Sequence, residues 1–245
     1  VLKLFHPSVS AESIEKEYRT NQLLKETGIR MPLVHGMKSV NGKRGIVFEG
    51  INGAVMTTLL AQRPLKVVTL AKKLAHIHHE IHQQHCEALP SFKESLKTDI
   101  MATGLDEDRK KTLLTLLKRV ADDTAVCHAD FHPDNLLIGR ERHHVIDWLD
   151  ASKGHPLLDV ARTKMLIGLS ALPDGLSGFK RIMIRWLRRK FLRSYLKTYF
   201  NLSGLDRTEL SDYEPLLLAA RLAENLPQKE RRRLEAALDS HFKQE

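Results

Sequence analysis

Apolar and polar positions change period along this chain, and the changes outline its elements. Val1-Leu2-Lys3-Leu4-Phe5 reads as a short strand. Ser10-Ala11-Glu12-Ser13 offers a helix start, after which Ile14, Tyr18, Leu23 and Leu24 recur at roughly helical spacing up to Gly28. Pro32-Leu33-Val34 and Gly45-Ile46-Val47-Phe48 read as two further strands, joined through the turn-forming Val40-Asn41-Gly42-Lys43. Gly50-Ile51-Asn52-Gly53 then breaks the pattern and is the best boundary, dividing the chain into 1–49 and 50–245. Beyond it the helical period dominates. Val68, Ala71, Leu74, Ala75, His78 and Ile81 mark one helix between Val67 and His85, and a second lies near Asp108 to Ala121. Short apolar runs at Ala125–Cys127, Leu136–Ile138 and Val145–Ile146 interrupt it, and the helical period returns past Asp159. The pattern predicts a small α/β segment, then a helical segment with a strand cluster inside it.

Composition sharpens this in three places. The 245 residues are 42% hydrophobic and 28% charged, an ordinary globular mix with ample material for a core. The longest stretch free of Asp, Glu, Lys and Arg runs only from Gly50 to Gln62, too short for a membrane-spanning helix. Cys86 and Cys127 give neither a disulfide framework nor zinc-ribbon spacing, so a reducing, cytoplasmic setting is expected. The formal charge is +9, and much of it is local. Lys180, Arg181, Arg185, Arg188, Arg189, Lys190, Arg193 and Lys197 share one segment that holds no acid. Because Val1 already reads as strand, earlier strands of the same sheet are expected upstream of the residues given.

The chemistry is concentrated in the middle. His128-Ala129-Asp130-Phe131-His132-Pro133-Asp134-Asn135 is followed at once by apolar Leu136-Leu137-Ile138, and the next strand delivers Val145-Ile146-Asp147-Trp148. Read physically, a loop presents Asp130 and Asn135 between strands, with Asp147 at the end of the following one. Two carboxylates and a carboxamide are oxygen ligands that suit Mg2+. The spacing is that of a phosphoryl-transfer catalytic loop, H-x-D-x-x-x-x-N, followed by a metal-binding Asp.

With its flanking letters, H-A-D-F-H-P-D-N-L-L-I…V-I-D-W-L-D-A…G-H-P-L-L-D-V-A, this set resembles the aminoglycoside phosphotransferase and choline kinase group along almost the whole chain. The resemblance implies a two-lobed, protein-kinase-like α+β fold, with a small β-rich N-terminal lobe, incomplete here, and a larger, mainly helical C-terminal lobe. It also implies an ATP-dependent phosphotransferase with a small-molecule hydroxyl acceptor. On that resemblance Asp130 is the base for the acceptor hydroxyl, and Asn135 and Asp147 hold Mg2+ on the ATP phosphates. Lys3 reaches the α/β-phosphates, paired with Glu17. Glu17 is favoured over Glu12 and Glu15 because it opens E-x-x-x-x-x-L-L before Gly28 and Pro32. Phe48-Glu49-Gly50-Ile51 is the hinge, where the backbone at Glu49 and Ile51 binds adenine, and His128 and Asp159 brace the catalytic loop.

Three features depart from the pattern. The glycine-rich phosphate loop is not among the residues given, His155 stands where an Asp is usual, and Asp134 adds charge where a small residue is common. The missing glycines leave room for a nucleotide-binding pseudokinase. The basic segment leaves room for a macromolecular or glycolipid acceptor, while a nucleic-acid partner is disfavoured.

Two weaker signals complete the reading. His76 to Cys86 places His78, His82 and His85 on one helical face and His79, His82 and Cys86 on another, but H-E-x-x-H fails by one position, so a packing helix is expected rather than a zinc site. In the basic segment Phe179, Ile182, Met183, Trp186, Leu187, Phe191, Tyr195 and Tyr199 follow a helical period. A core-packed helix with a solvated basic face is expected. Any arginine facing the cleft would favour an anionic or neutral acceptor over a polycation.

Overall fold

The computed structural model describes residues 1–170, 172 and 175–243. Strands β1 (Leu2–Leu4), β2 (Val34–Val40) and β3 (Lys43–Phe48) form an antiparallel sheet in the order β1-β3-β2. Asn41 (φ 49°) and Gly42 (φ 76°) both occupy the left-handed region, the requirement of a type I′ hairpin turn between β2 and β3. Helix α1 (Ala11–Leu24) starts where Ser10 Oγ accepts the Ser13 amide at 3.1 Å, and it packs on β2 and β3. Strand β2 extends well beyond the predicted Pro32–Val34. His35 to Ser39 carries no apolar alternation, because this strand is largely exposed and kinked by a register shift between Val34 and Gly36.

The rest is mainly helical, so the fold is the expected α+β, with a small β-rich lobe and a larger helical one. After β4 (Ala54–Val55) come α2 (Met56–Gln62), α3 (Val67–His82), α4 (Phe92–Ala102) and α5 (Glu107–Arg119). Strand β5 (Val126–Cys127) pairs with β8 (Ser152–Lys153), while β6 (Leu136–Ile138) lies between β4 and β7 (His143–Val145). Then follow α6 (Pro156–Leu169), α7 (Gly178–Ser203), α8 (Leu210–Leu222) and α9 (Gln228–Phe242). Helix α4 was not anticipated, although Ser91 Oγ caps it at the Glu94 amide and its buried Phe92, Leu96 and Ile100 recur every fourth position.

Two polar contacts fix α7 against α3. His78 Nδ1 meets the Tyr195 hydroxyl at 2.6 Å and His82 Nδ1 meets that of Tyr199 at 2.7 Å, all four side chains buried. Both pairs step by one helical turn in the same direction, so the two helices run parallel in a defined register. The apolar stripe of α7 is therefore split. Phe191, Tyr195 and Tyr199 are core, as expected, whereas Phe179 is 76% and Trp186 56% exposed, with Ile182 and Met183 also in solvent. Among the described residues no helix is long and apolar enough to cross a membrane.

Candidate active site

The loop after β5 is held from behind by one buried carboxylate. Asp159, in the first turn of α6, accepts the His128 amide at 2.5 Å through Oδ2 and the Ala129 amide at 3.0 Å through Oδ1. Its Oδ2 also lies 3.1 Å from His78 Nε2 and 3.4 Å from His82 Nε2. Burial opposes the charge on Asp159, but the two imidazoles outweigh it and hold the carboxyl well below its usual range. Burial pushes His78 down to about 3, so it stays neutral. The histidine run is thus mainly a brace. His78, His82 and Asp159 bring their ligand atoms within 4.8 Å of one another, but Tyr195, Tyr199 and the His128 amide already engage them.

That brace holds a strained backbone. Ala129 is at φ 62° and Asp147 at φ 68°, the left-handed region that non-glycine residues enter at a cost of about 1–2 kcal/mol. The two turns are tied together: His128 Nε2 meets the Ile146 carbonyl at 3.0 Å, and the Ile146 amide donates to the Asn135 carbonyl at 3.0 Å. Asp130 and Asn135 are brought into contact, Asn135 Nδ2 donating to the Asp130 carbonyl at 2.9 Å and to its Oδ2 at 3.1 Å. Burial raises the Asp130 carboxyl, but a hydrogen bond and the charge of His132, with smaller help from His128 and Arg162, bring it below its ordinary value. His132 Nε2 stands 3.4 Å from Asp130 Oδ2, and its other nitrogen stands 3.3 Å from Asp134 Oδ2. Burial lowers the His132 pKa, yet these two carboxylates raise it overall.

Across the cleft Lys3 joins two acids. Its Nζ is 2.7 Å from Glu17 Oε1 and 3.0 Å from Asp147 Oδ1, so the ion pair chosen from the sequence is present and Asp147 belongs to it as well. Gly45 pairs with Leu4 across β1 and β3, and a Cβ there would stand 2.7 Å from the Lys3 carbonyl oxygen. A glycine there lets β1 approach. Glu17 is buried with Oε2 unpartnered, and burial raises its pKa despite the Lys3 charge. Burial lowers Lys3, but Glu17 and Asp147 together raise it, so its ammonium is retained.

Two cavities flank these residues. One, of about 290 Å³, is the slot between the lobes, lined by Val1, Lys3, Glu49, Ile51, Leu137 and Asp147 among others. The Glu49 amide is taken by the Leu33 carbonyl at 2.7 Å, whereas the Glu49 carbonyl and the Ile51 amide have no protein partner among the described residues. The other cavity, of about 610 Å³, is within the usual size of small-molecule sites. Asp130, Asp134 and Thr57 line it, with Leu187, Arg188 and Phe191 of α7.

Every site residue chosen from the sequence therefore lies in or directly behind the cleft. The sequence missed Thr57 and His132. Thr57 Oγ1 donates to Asp134 Oδ1 at 2.5 Å, which with His132 accounts for the unexpected charge at 134. His155 is not idle either: its Nδ1 accepts the Leu157 amide to cap α6, and its ring stacks on Tyr213 at 5.3 Å.

The two lobes, the lysine–glutamate pair and the loop carrying Asp130 and Asn135 define a kinase-like protein. Solved structures share the fold. The chain is similar to amicoumacin kinase hAmiN, solved with AMP-PNP, Ca2+ and Ami (15% identity, 99% of this chain and 81% of that one, TM-score 0.62). It is also similar to a thermostable mutant of aminoglycoside phosphotransferase APH(4)-Ia with ADP and hygromycin B (14%, 94% and 82%, TM-score 0.63). A choline/ethanolamine kinase family protein from Mesorhizobium loti shares the fold too (14%, 99% and 80%, TM-score 0.56). No curated protein matches the chain by sequence. Residues 1–210 match the phosphotransferase enzyme family (APH), and the chain belongs to that family.

Proposed function

We propose that this protein transfers the γ-phosphate of ATP to a hydroxyl of a small molecule bound in the larger cavity. The observation that carries the reading is the position of the Lys3 ammonium, between buried Glu17 and Asp147 at the mouth of the interlobe slot. A cation held there is pre-arranged for nucleotide phosphates. The slot has apolar walls and offers a free carbonyl at Glu49 and a free amide at Ile51, which suits the adenine edge. Two of the similar structures hold nucleotides, AMP-PNP and ADP.

The donor set also fits a divalent cation. Asn135 uses its Nδ2 on Asp130, leaving its Oδ1 without a protein partner among the described residues, and the Asp147 carboxylate is 45% exposed. Asn135 and Asp147 are the residues that would hold Mg2+, which would neutralise charge on the transferring phosphate. Asp130 accepts the acceptor's hydroxyl proton; its carboxyl, held despite burial below the ordinary value by His132, is ionised and able to take it. Asn135 and His132 fix the orientation of that carboxylate. His128 and Asp159 hold the loop and touch no reactant. Positioning and electrostatics account for most catalysis of this kind.

The test is Mg-dependent ATP consumption across aminoglycosides, choline-like amines, sugars, amino alcohols and a glycolipid acceptor, with Asp130→Ala as control. Stimulation by one class that the variant loses supports the reading. Nucleotide binding with no stimulation by any acceptor refutes it in favour of a binding module.

A further inference from the structure

The acceptor cavity is lined by two arginines in very different states. Arg221 is neutralised, pairing with Glu224 and, at 3.3 Å, with Glu230. Arg188 is half-buried and donates to the Ser170 carbonyl at 2.6 Å, but among the described residues no carboxylate comes within ion-pair distance of it. Burial, helped by the nearby Arg233, lowers its pKa. A half-buried guanidinium with no counter-ion among the described residues is partly desolvated, and an incoming anion would relieve that cost.

The surroundings extend this imbalance. Behind Arg188 the cavity meets a second recess of about 290 Å³, which shares Ser170 and Arg188 with it. Arg185, Arg189 and Arg233 line that recess with Arg188, and among the described residues no acidic side chain does. None of these three arginines has an ion-pair partner among the described residues. Helix α6 provides a ruler across the cavity. Thr163 Oγ1 holds the Phe131 carbonyl beside Asp130, and Ser170, just past the end of α6, holds Arg188. At 1.5 Å per residue these two anchor points are about 10 Å apart.

We propose that the acceptor is an alcohol bearing a phosphate or carboxylate, with that anion on Arg188, on the order of 10 Å from the hydroxyl presented to Asp130. The inference rests on the phosphotransfer reading and narrows its substrate class. The arginine-lined recess accommodates either a soluble phosphorylated or carboxylated compound or the head group of an anionic lipid. In the lipid case the exposed Phe179, Ile182, Met183 and Trp186, interleaved with basic side chains, would contact the bilayer.

The test uses the full chain with Mg-ATP. Hexose phosphates and hydroxy acids are compared with the matching neutral alcohols, with aminoglycosides, and with vesicles of phosphatidylcholine with and without phosphatidylinositol. Turnover at least tenfold better with anionic alcohols is expected. Arg188→Gln should raise their KM about ten- to hundredfold, the scale of a lost charge-assisted pair, with the KM for ATP unchanged and partial recovery in Arg188→Lys. If Arg188→Gln does not fold, Arg233→Gln should give a smaller rise of the same sign. Activity with hexose phosphates assigns a soluble acceptor, and activity only on phosphatidylinositol vesicles assigns a lipid. Neutral or cationic acceptors turned over as well as anionic ones, with Arg188→Gln silent, would overturn the anion site and leave phosphotransfer standing. Silence with every acceptor would refute phosphotransfer itself. In that case calorimetric titration with a hexose phosphate decides: binding lost in Arg188→Gln upholds the anion site, and no binding removes it.

Discussion

Replacing Asp159 with alanine tests whether one buried carboxylate holds the catalytic loop. The side chain accepts the amides of His128 and Ala129 at 2.5 and 3.0 Å, and all three residues are buried. Truncation leaves two amides without acceptors inside the protein, at about 1–3 kcal/mol each, so a loss of roughly 2–6 kcal/mol is expected. That is a large share of the ~5–15 kcal/mol typical of domains. At this chain length it corresponds to a fall in Tm of roughly 5–20 °C. The loop it releases carries Asp130, so turnover should fall even below the melting range. Asp159→Asn restores one acceptor oxygen and should be intermediate on both measures. Differential scanning fluorimetry and steady-state ATP consumption, run on the same preparations, read the two effects. An Asp159→Ala protein melting within about 2 °C of wild type with full turnover would refute the argument.

Three further outcomes follow from the geometry. Asp130→Ala should lower kcat about 10²–10⁴-fold with little change in Tm, since its carboxylate is oriented by neighbours rather than supporting them; a loss under tenfold in steady-state assays counts against a general base. Gly45→Ala should push β1 away from β3 and displace Lys3, raising the KM for ATP while leaving acceptor affinity in place; an unchanged KM would show that the strand yields. Between pH 6.5 and about 3 stability should fall with acid, because His78 is neutral in the fold down to about 3 and protonates near its ordinary value when unfolded. His128 and His143 are lowered in the same sense, so His78→Gln should flatten the slope of urea-melt stability against pH rather than abolish it; an unchanged slope would remove His78 from the account.

The convergence of the proposed catalytic residues was readable in the sequence because the chemistry assigned to them demands particular residues at fixed separations. Asp130, Asn135 and Asp147 lie within one short strand–loop–strand unit. Lys3 with Glu17 was readable only through the family resemblance, since Glu12 and Glu15 share the helix and the E-x-x-x-x-x-L-L run alone singled out Glu17. What escaped was long-range. Thr57 reaches Asp134 from a helix whose own pattern says nothing about position 134, and His132 looked like a loop residue until both of its nitrogens faced carboxylates. The fate of the α7 stripe was equally hidden, since periodicity reports an apolar face but not whether anything lies over it. Arg188 was one of several basic residues on that helix, and its having no acidic partner among the described residues is a property of packing alone.

At 26 residues, α7 is about 39 Å long, and its two ends answer to different demands. Its second half is locked to α3 by the Tyr195 and Tyr199 hydroxyls, through imidazoles that in turn support the catalytic loop. Its first half contributes Ile184, Leu187 and Arg188 to the larger cavity, the one proposed for the acceptor. Substitutions there can reshape what is bound without disturbing the machinery that reacts with it. On the proposed function, a lineage carrying this helix is free to explore new acceptors by changing one end of a lever whose other end is bolted down.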